Sequence, residues 1–524
     1  MTDTLSMTDI SKAEAAATNW DDDDTLYEMP AFAGRNILVF SDGTGQAGGL
    51  QVDEFRSNVY KLFRASRCGP DTTIDPDLQL AFYDPGLGSK LAGDNITVPF
   101  LRRVYNGLSS ATGLGITRNL VDCYVALMQL WRPGDRIFFF GFSRGAYTVR
   151  CLAGVLSLCG IPTTMPDGTP LLRDPDTLKN IANEAVKRVY RHGSGAADTD
   201  DQHLTKRTMS LKAQRSALGA DFRQRFRSAT GDAPNVVPHF IGVWDTVAAI
   251  GLSSSLIPWL RAGAALTVAL MSAGLSWLLS RYGYGYGFLL TWVQTMVAIG
   301  IVSTAMYYLI RLKVSQHVPG FRWWQTIHLT NLQMKFFDRR LNPNVRYARH
   351  ALALDERRAD FDRVPWANDG EPPNREIEEG AYLRQLWFAG NHSDIGGSYP
   401  ENESRLSDLA LKWMATEAKK AGLLVNVNLL ATYGRHTGRQ HDECRVGVRL
   451  LHFWRLNWKE KSRKVVPKAT YHPSVMWRFK EPQVLIYDRE RPYRPDLLAE
   501  HLDFKEVYIA ETARNGTAKD PSIG

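Results

Sequence analysis

One serine of this chain lies in a sequence that can make it a nucleophile. Ser143 is central in residues 141–145, Gly-Phe-Ser-Arg-Gly, which follow the strand-like run 136–140, apolar after its first residue. In an α/β-hydrolase sheet, G-x-S-x-G forms the sharp turn between a strand and a helix and exposes the serine hydroxyl. A Cβ at Gly141 or Gly145 would collide with neighbouring strands in such a turn. The sequence therefore predicts Ser143 as a nucleophile, with an ordinary serine in a glycine turn as the alternative.

Two further strand ends supply the partners that a serine nucleophile needs. Asp245 follows the strand-like stretch 238–244, and His392 lies in a glycine-rich loop after the apolar run 383–389. The histidine would take the serine proton and return it to the leaving group, while the aspartate would hold the imidazole in one tautomer. The order Ser143, Asp245, His392 is that of the α/β-hydrolase triad. Alternatively, the aspartate caps a turn and the histidine bonds only to its own loop.

Backbone N–H groups near the serine can form an oxyanion hole. The apolar run 36–40 ends in a polar glycine turn that contains Gly43 and Thr44. Loops at the carboxyl ends of parallel strands surround the ligand crevice. The N–H groups of Gly43 and Thr44, together with the N–H of Arg144, are therefore the predicted oxyanion donors.

Two more aspartates accompany these residues. Asp42 lies in the first loop and either faces the site or bonds to its own loop. Asp394 lies two residues after His392 and either orients that loop or competes with Asp245 as the triad acid. No Cys-x-x-Cys or Cys/His metal spacing occurs in the sequence. The predicted chemistry needs neither a metal nor a cofactor.

These residues need a parallel α/β sheet to bring them to one rim. Strand-like runs at 36–41, 78–83 and 136–140 alternate with a helical stretch at 117–131, and apolar residues at helical spacing continue over 146–156. Such alternation is typical of a parallel sheet. The sequence predicts the α/β class: an α/β-hydrolase-like, mainly parallel sheet flanked by helices, with an inserted apolar helical hairpin.

Two uncharged apolar stretches form that predicted hairpin. Residues 262–280 are about 28 Å long as a helix, and residues 288–310 follow after the turn 281–287. Aromatic residues near the ends resemble the belt of membrane spans. The pair is predicted to be a membrane-inserted or transmembrane hairpin, with a buried core hairpin or an apolar lid as the alternative. Its outer flanks carry more basic residues than its turn, which favours a cytoplasmic catalytic body.

Composition narrows the class of protein. The chain has 524 residues and a formal net charge of +8, a mild basicity that suits an anionic membrane surface. It lacks zinc-finger and RNA-binding signatures, so nucleic acid is not an expected partner. Five widely spaced cysteines indicate reduced thiols. No basic segment followed by an apolar core stands near residue 1, and no secretory signal peptide is expected.

The predicted domain organisation has four parts. They are a disordered N-terminal arm at 1–33; an α/β-hydrolase-like catalytic domain at 34–255 and 321–424, with a polar insertion at 163–235; the hairpin at 256–320; and a basic, aromatic C-terminal appendage at 425–524.

Six motifs together resemble a known family. They are residues 41–45 (Ser-Asp-Gly-Thr-Gly), 141–147 (Gly-Phe-Ser-Arg-Gly-Ala-Tyr), 242–247 (Gly-Val-Trp-Asp-Thr-Val), 350–357 (His-Ala-Leu-Ala-Leu-Asp-Glu-Arg), 387–397 (Trp-Phe-Ala-Gly-Asn-His-Ser-Asp-Ile-Gly-Gly) and 406–414 (Leu-Ser-Asp-Leu-Ala-Leu-Lys-Trp-Met). In this order they resemble the type VI secretion lipase-effector family, described as phospholipase effector-like α/β-hydrolase domains. The resemblance implies a serine phospholipase A or esterase with Ser143, Asp245 and His392 as its triad. The chain departs from the family pattern at Gln46 and in the apolar pair.

The leading hypothesis is a serine hydrolase that cleaves lipid carboxylic esters at a membrane, as a phospholipase A or lipase. The resemblance also implies an antibacterial secretion effector, delivered without a signal peptide, with a secretion-apparatus or immunity protein as partner. The hairpin and the cysteines instead predict a membrane-associated protein with a cytoplasmic catalytic body. An acyltransferase or thioesterase with the same triad, and a non-catalytic membrane-anchored interaction module, are the alternatives.

Overall fold

A computed structural model describes most of the chain. The described residues are 34–43, 46, 55–86, 114–193, 205–247, 257–282, 287–315, 317–329, 341–366, 376–377, 380–446, 448–451, 454–456, 458–463 and 469–517. The predicted N-terminal arm at 1–33, Thr44 and most of the hairpin turn lie outside these residues.

A parallel sheet of six strands forms the centre of the molecule. Its strands are β1 (Asn36–Ser41), β2 (Gln79–Asp84), β3 (Arg136–Phe142), β4 (Phe240–Trp244), β5 (Tyr347–Ala353) and β6 (Leu383–Phe388). Their spatial order is β6-β5-β4-β3-β1-β2, and every neighbouring pair is parallel. The sheet confirms the predicted α/β class, and each predicted strand overlaps an observed one.

Alternate side chains of the strands fill two cores, one on each face of the sheet. Ile37 and Val39 of β1 belong to the first core, whereas Leu38 and Phe40 belong to the second. A strand that is buried on both faces needs an uninterrupted apolar sequence. That requirement explains why apolar runs identified these strands from sequence.

Helices cover both faces of the sheet. The described α-helices are α1 (Asn58–Ser66), α2 (Leu114–Leu130), α3 (Arg144–Cys159), α4 (Pro175–Asn183), α5 (Lys206–Phe226), α6 (Ile257–Arg281), α7 (Phe288–Arg311), α8 (His392–Gly396), α9 (Arg405–Lys420), α10 (Glu443–Val446), α11 (Pro473–Lys480) and α12 (Lys505–Thr517). Helices α2 to α5 contribute to the first core, and α1 and α9 contribute to the second. The result is a three-layer α/β/α arrangement.

Shorter elements complete the description. A π-helix spans Glu184–Tyr190, and 3-10 helices span Trp323–Thr326, Ala359–Phe361, Glu401–Glu403 and Asp496–Leu498. Antiparallel pairs join Ala229–Thr230 to Ala233–Pro234, Leu312–Lys313 to His328–Leu329, Glu376–Ile377 to Gly380–Ala381, Val448–Leu451 to Trp454–Leu456, and Val484–Ile486 to Arg489–Arg491.

The predicted polar insertion at 163–235 takes part in the first core. Its helix α5 buries Leu211, Leu218, Phe222 and Phe226. These residues follow one another at spacings of seven, four and four, which places them along one side of a helix. The charged residues between them cover the opposite side, so α5 forms part of a covering layer of the sheet.

The C-terminal region packs beside strand β6. Residues of β5, β6 and the segments after them share a third core with Val475, Phe479 and Phe504. The N–H of Trp387 in β6 donates to the Thr470 carbonyl, and the N–H of His472 donates to the Trp387 carbonyl. These bonds satisfy part of the exposed edge of the sheet, which would otherwise be open to pairing with another chain.

Helices α6 and α7 form an antiparallel hairpin whose polar residues face inward. Ser272, Ser276, Thr291 and Thr295 are buried between the two helices. The hydroxyls of Ser276 and Thr295 lie 2.6 Å apart, and the Trp292 indole N–H donates to the Ser272 hydroxyl at 3.0 Å.

Large apolar side chains cover the outside of the same hairpin. They include Leu266, Leu270, Met271, Leu289, Val297, Ile301, Val302 and Leu309, each at least 56% exposed. Residues Phe288–Leu309 of α7 are long and apolar enough to cross a membrane, and the apolar part of α6, Ala265–Arg281, is shorter. The distribution of polarity is thus the reverse of that in a water-soluble hairpin.

The chain that leaves the hairpin is fastened to the first covering layer. The Ser315 hydroxyl lies 2.9 Å from Nδ1 of His192, and Nε2 of the same imidazole lies 2.8 Å from Oε1 of Gln214 in α5. Val318 joins the first core. These contacts join the base of the hairpin to the α/β body.

Candidate active site

The serine turn has the backbone conformation of a strained elbow. Ser143, between β3 and α3, has φ 58° and ψ −120°, in a region that costs a side-chain-bearing residue about 1–3 kcal/mol. A Cβ at Gly141 would lie 2.6 Å from the Gly145 carbonyl oxygen, and one at Gly145 would lie 2.6 Å from that of Asp42. The backbone leaves no space for a side chain at either glycine, as the sequence predicted.

The elbow lies at a switch point of the sheet. Strands β1 and β3 are neighbours, but α1 follows β1 on one face and α3 follows β3 on the other. Loops that leave neighbouring strands in opposite directions open a crevice, where α/β proteins bind ligands. A Cβ at Gly43, in the loop after β1, would lie 3.4 Å from Cβ of Ser143. The β1 loop therefore lies directly beside the serine.

Asp245 and His392 are in direct contact. Asp245 follows β4, is fully buried and has φ 42°. Its N–H donates to the Ala351 carbonyl at 2.8 Å, and Oδ1 accepts the Ala353 N–H at 3.0 Å. Oδ2 lies 2.5 Å from Nδ1 of His392. A hydrogen on Nδ1 would donate to this carboxylate and leave Nε2 with a lone pair.

The imidazole of His392 is enclosed by two phenyl rings. The ring centroids of Phe142 and His392 lie 4.6 Å apart, and Phe361 contacts the imidazole edge-on at 5.2 Å. Nε2 is buried and makes no hydrogen bond to any described residue, the Ser143 hydroxyl included. Hydrogen bonds between nucleophile and base are often loose before substrate binds. The atom that would act as the base is thus buried beside the elbow.

The turn that carries His392 is a helix start, whereas the sequence predicted a loop. Asn391 caps α8 by accepting the N–H groups of Ser393 and Asp394, both at 2.9 Å, and Oδ2 of Asp394 accepts the Asn391 N–H at 3.1 Å. This reciprocal pair is a capping box. Asp394 also lies 2.7 Å from Nδ1 of His441. Asp394 therefore shapes the turn, and the carboxylate that contacts the His392 ring is that of Asp245.

The three predicted oxyanion donors differ in where their backbone N–H groups lie and what those groups bind. The N–H of Arg144 is the first of α3, and first-turn N–H groups can bind an anion. The N–H of Gly43 donates to Oδ1 of Asp42 at 2.6 Å, so an oxyanion would have to displace that carboxylate. Thr44 lies outside the described residues.

Asp42 fixes the β1 loop through several donors. Besides the Gly43 N–H, its carboxylate accepts the Ser57 hydroxyl at 2.5 Å and the Tyr83 hydroxyl at 2.6 Å. The alternative that Asp42 bonds to its own loop thus describes the Gly43 contact, while the other two contacts join the loop to α1 and β2.

Sequence reasoning missed two charged residues next to the triad candidates. Both guanidinium nitrogens Nη1 and Nη2 of Arg463 contact Asp245, at 2.6 and 2.9 Å. Oε2 of Glu356 accepts the backbone N–H of His392 at 3.2 Å, and this carboxylate is paired with Arg358 at 2.8 Å. Arg463 lies 218 positions after Asp245 in a basic stretch, where no local pattern distinguishes it from its neighbours.

Burial and ion pairs set the charges at the site. Burial alone would raise the pKa of Asp245, but the Arg463 guanidinium and the His392 hydrogen bond outweigh it and hold that pKa well below its usual range. Burial would also raise the pKa of Glu356, and Arg358 reverses the shift. Burial lowers the pKa of Arg144 to about 10. Both carboxylates beside His392 are therefore ionised at neutral pH.

The described residues contain no cluster of three or more His, Cys, Asp or Glu side chains that could hold a metal ion.

The fold and the elbow define the class of this protein: an α/β-hydrolase-like protein with a serine at the strand-to-helix turn. The chain belongs to the Tle1-like phospholipase effector family of the type VI secretion system, because the catalytic-domain model of that family matches residues 35–272 and 295–417. The predicted resemblance is thus confirmed. Residues 273–294, between the two matched ranges, comprise the end of α6, the turn and the start of α7.

Individual proteins are similar to the chain over part of their length. The uncharacterized protein YEL023C of Saccharomyces cerevisiae is 24% identical over 452 residues, which make up 75% of this chain and 58% of the yeast protein. A crystal structure of an uncharacterized protein from Pseudomonas aeruginosa shares 17% identity, covering 75% of this chain and 46% of the other, with a TM-score of 0.29. A structure of the Tle1 effector bound to the VgrG spike shares 19% identity, covering 72% and 53%, with a TM-score of 0.25. The chain therefore spans about half the length of the proteins it matches.

Proposed function

We propose that this protein is a serine hydrolase that cleaves carboxylic esters of lipids, as a phospholipase A or lipase, with Ser143, His392 and Asp245 as its triad. The contact between Asp245 Oδ2 and His392 Nδ1, at 2.5 Å, carries the proposal. It leaves Nε2 as a base inside a buried site beside the elbow. Membership of a phospholipase effector family supports lipid esters as the substrate class.

The first step forms an acyl-enzyme. Oγ of Ser143 attacks the ester carbonyl carbon while Nε2 of His392 takes the hydroxyl proton. The carbonyl oxygen becomes an oxyanion, which the N–H of Arg144 binds together with a donor from the β1 loop, Gly43 or Thr44. When the tetrahedral intermediate collapses, the proton on Nε2 passes to the departing alcohol oxygen, and a lysolipid or glycerol alcohol leaves.

The second step returns the enzyme to its starting state. Water donates a proton to Nε2 of His392 and attacks the Ser143 acyl carbon, after which the serine oxygen leaves and regains its proton. A free fatty acid is released. Throughout both steps, Asp245 keeps the imidazole in one tautomer and stabilises its transient positive charge.

The hairpin supports an action at membranes. The large apolar side chains of α6 and α7 lie on the outside of the hairpin, and the small hydroxyl residues lie at the contact between the two helices. Small and hydroxyl-bearing residues at the contact with apolar residues outside are the pattern of membrane helices, whose outer surface faces lipid. We infer that α6 and α7 insert into a bilayer and hold the α/β body at the lipid surface, with the body on the cytoplasmic side because the flanks are more basic than the turn.

The family also suggests a biological setting. Its members are described as type VI secretion phospholipase effectors, and the similar Tle1 structure is bound to a VgrG spike. We infer from this family, as the alternative to the resident membrane enzyme, a secreted antibacterial effector that is carried by a spike protein and neutralised by an immunity protein. Co-purification with the spike protein of the same organism would test the carrier, and its absence would favour the resident membrane enzyme.

A lipid-panel assay tests the activity. The purified full-length protein is incubated with phospholipid vesicles and with soluble short-chain esters, and released fatty acid is measured. We expect Ser143→Ala to lower kcat by about 10⁴-fold or more, because the nucleophile is lost. Ser157→Ala is the matched control, since its hydroxyl donates to the Ala153 carbonyl further along α3 and should keep full activity.

A fluorophosphonate probe separates the alternatives. Covalent labelling of the wild type, and none of Ser143→Ala, supports a serine enzyme. An acyltransferase or thioesterase would label equally but would favour an alcohol acceptor or a thioester over lipid hydrolysis. If Ser143→Ala hydrolyses lipids as fast as the wild type, or the folded wild type neither labels nor releases fatty acid, the proposal is wrong.

A further inference from the structure

A guanidinium from the C-terminal region is seated on the candidate triad acid. Arg463 is 4% exposed. Its Nη1 lies 2.6 Å from Oδ1 of Asp245, and its Nη2 lies 2.9 Å from Oδ2. This is the two-pronged geometry in which arginine binds a carboxylate most strongly. Oδ2 therefore meets both Nη2 of Arg463 and Nδ1 of His392, and its direction is set by these two groups.

The fork is held by the backbone as well as by the carboxylate. Nη1 of Arg463 also donates to the Ala353 carbonyl at 2.9 Å, and Nη2 donates to the Phe361 carbonyl at 2.8 Å. Ala353 ends β5 and Phe361 ends the 3-10 helix that contacts His392. The guanidinium is thus fixed to the two segments that border the imidazole, so it can orient Asp245 rather than follow it.

Both carboxylates that bond to His392 in the described part of the chain are paired with an arginine. Asp245 is paired with Arg463 and Glu356 with Arg358. The charge of Asp362 also raises the pKa of Arg463, and this carboxylate is paired with Lys461 at 2.6 Å.

One more titratable group faces Asp245. Burial lowers the pKa of His350 to about 3, so that imidazole is neutral. Removing the Arg463 charge would leave the Asp245 carboxylate next to His392 without its cation and favour the protonated imidazole, which cannot act as a base.

We propose that Arg463 is a positioning residue for the hydrolase reaction: it holds the Asp245 carboxylate toward His392 and offsets its negative charge. This inference rests on the proposed triad, and it gives the C-terminal region a direct part in the chemistry. Burial would lower the pKa of Arg463 and Asp245 raises it, so the guanidinium stays charged at any pH at which the enzyme works.

Substitution of Arg463 tests the proposal with a soluble ester as substrate. We expect Arg463→Met to lower kcat at pH 7 by about 10- to 100-fold with little change in KM, because the substrate does not contact this residue. The loss should shrink to about threefold or less at pH 9, where solvent removes the extra proton from His392. Added guanidinium should restore part of kcat, and the same concentration of sodium chloride should not.

Arg494→Met is the matched control. Arg494 is also an arginine of the C-terminal region that bonds to a carboxylate and to a backbone carbonyl, but its partners are Glu511 and Phe479, which lie outside the candidate site. Its loss should lower the melting temperature without a pH-dependent change in kcat. Arg463→Lys keeps the charge and loses the fork, and we expect an intermediate kcat with a weaker pH dependence than that of Arg463→Met.

The outcomes separate this inference from the proposed function. If Arg463→Met keeps wild-type kcat from pH 6 to 9, or loses the same factor at every pH without rescue by guanidinium, Arg463 has no positioning role. If it does not fold, Arg463→Lys decides, and wild-type kcat in that variant overturns the proposal. Ser143→Ala remains inactive in all these cases if the triad is correct, whereas an active Ser143→Ala removes the proposed function itself.

Discussion

The carboxyl group of Asp84 is buried next to the β1 loop. Among the described residues, no cationic side chain is in contact with it. Asp84 ends β2, and Oδ2 accepts the Ser41 hydroxyl and the Asn119 amide, each at 2.8 Å. Burial raises the pKa of Asp84 to about 7, because the two hydrogen bonds lower it less and the charge of Asp122 adds to the rise. The buried carboxyl is therefore largely protonated in mildly acidic solution.

The raised pKa makes stability depend on pH. The folded pKa of about 7 exceeds the ordinary 3.8, so the contribution of Asp84 is complete below about pH 4 and is lost as the pH rises through 7. We expect the wild type to lose on the order of 2–4 kcal/mol of unfolding free energy between pH 5 and pH 8 from this group. Asp84→Asn, which still accepts the Ser41 hydroxyl, should lose far less.

Thermal unfolding at the two pH values measures the difference. Asp77→Asn is the control, because it alters an exposed carboxyl in the turn just before the same strand without touching the buried group. Equal pH dependence in the wild type and in Asp84→Asn would contradict this assignment.

Among single residues, sequence reasoning located those that come after the end of a strand. Ser143, Asp245 and His392 each come directly after an apolar run, and parallel strands bring such ends to one rim. Arg463 and Glu356 follow no such rule. Their importance comes from which carboxylate or N–H they meet in space, and pairing between distant segments leaves no local pattern in a single sequence.

The proposed membrane insertion of the hairpin of α6 and α7 can be tested with two lysine substitutions on its outer surface. Each charge at the centre of a bilayer costs about 3 kcal/mol. We expect the wild type to stay with membranes after carbonate extraction, and Val297→Lys combined with Ile301→Lys to be released. Both residues are more than half exposed, so in water these substitutions would be harmless.

An exposed leucine on the α/β body gives the matched comparison. Leu172 is 57% exposed and lies outside the hairpin, so Leu172→Lys should not change membrane retention. Release of the wild type by carbonate, or equal retention of the double-lysine and Leu172→Lys variants, would rule out insertion of the hairpin.

Element types were predictable where burial demanded a regular apolar period. Strands β1, β3 and β6 and helices α2 and α3 overlap their predicted ranges. Within the predicted polar insertion, α4 is followed directly by the π-helix Glu184–Tyr190. A wider helical turn changes the hydrogen-bond partner and barely changes the apolar period, so the sequence pattern could not reveal it.

At the scale of the whole molecule, His441 ties the C-terminal region to the turn that carries His392. Its Nδ1 lies 2.7 Å from Oδ1 of Asp394, and its Nε2 lies 2.8 Å from Oε2 of Glu403. Burial would lower the pKa of His441, but the two carboxylates outweigh it and raise that pKa. The protonated imidazole can donate to both partners, whereas the neutral form can donate to only one.

The raised pKa fixes the direction of the effect. The stabilisation by His441 is complete below its ordinary value near 6.5 and is lost as the pH rises through the folded value. We expect His441→Ala to lose about 1–3 kcal/mol of unfolding free energy at pH 6 and less at pH 9. Denaturant unfolding at both values measures this. His436→Ala is the control, since its partly exposed pair with Glu481 does not reach the His392 turn, and a constant deficit in His441→Ala would contradict the prediction.

The place of the hairpin in the chain has a consequence for biosynthesis. It separates β4 from β5, which are neighbours in the sheet, so Ser143 and Asp245 leave the ribosome long before His392 and Arg463. A nascent chain that already carries the proposed nucleophile still lacks the proposed base and the arginine fork until the hairpin has emerged and β5 and β6 have folded against the earlier strands. The proposed site is therefore complete only after residue 463 has left the ribosome.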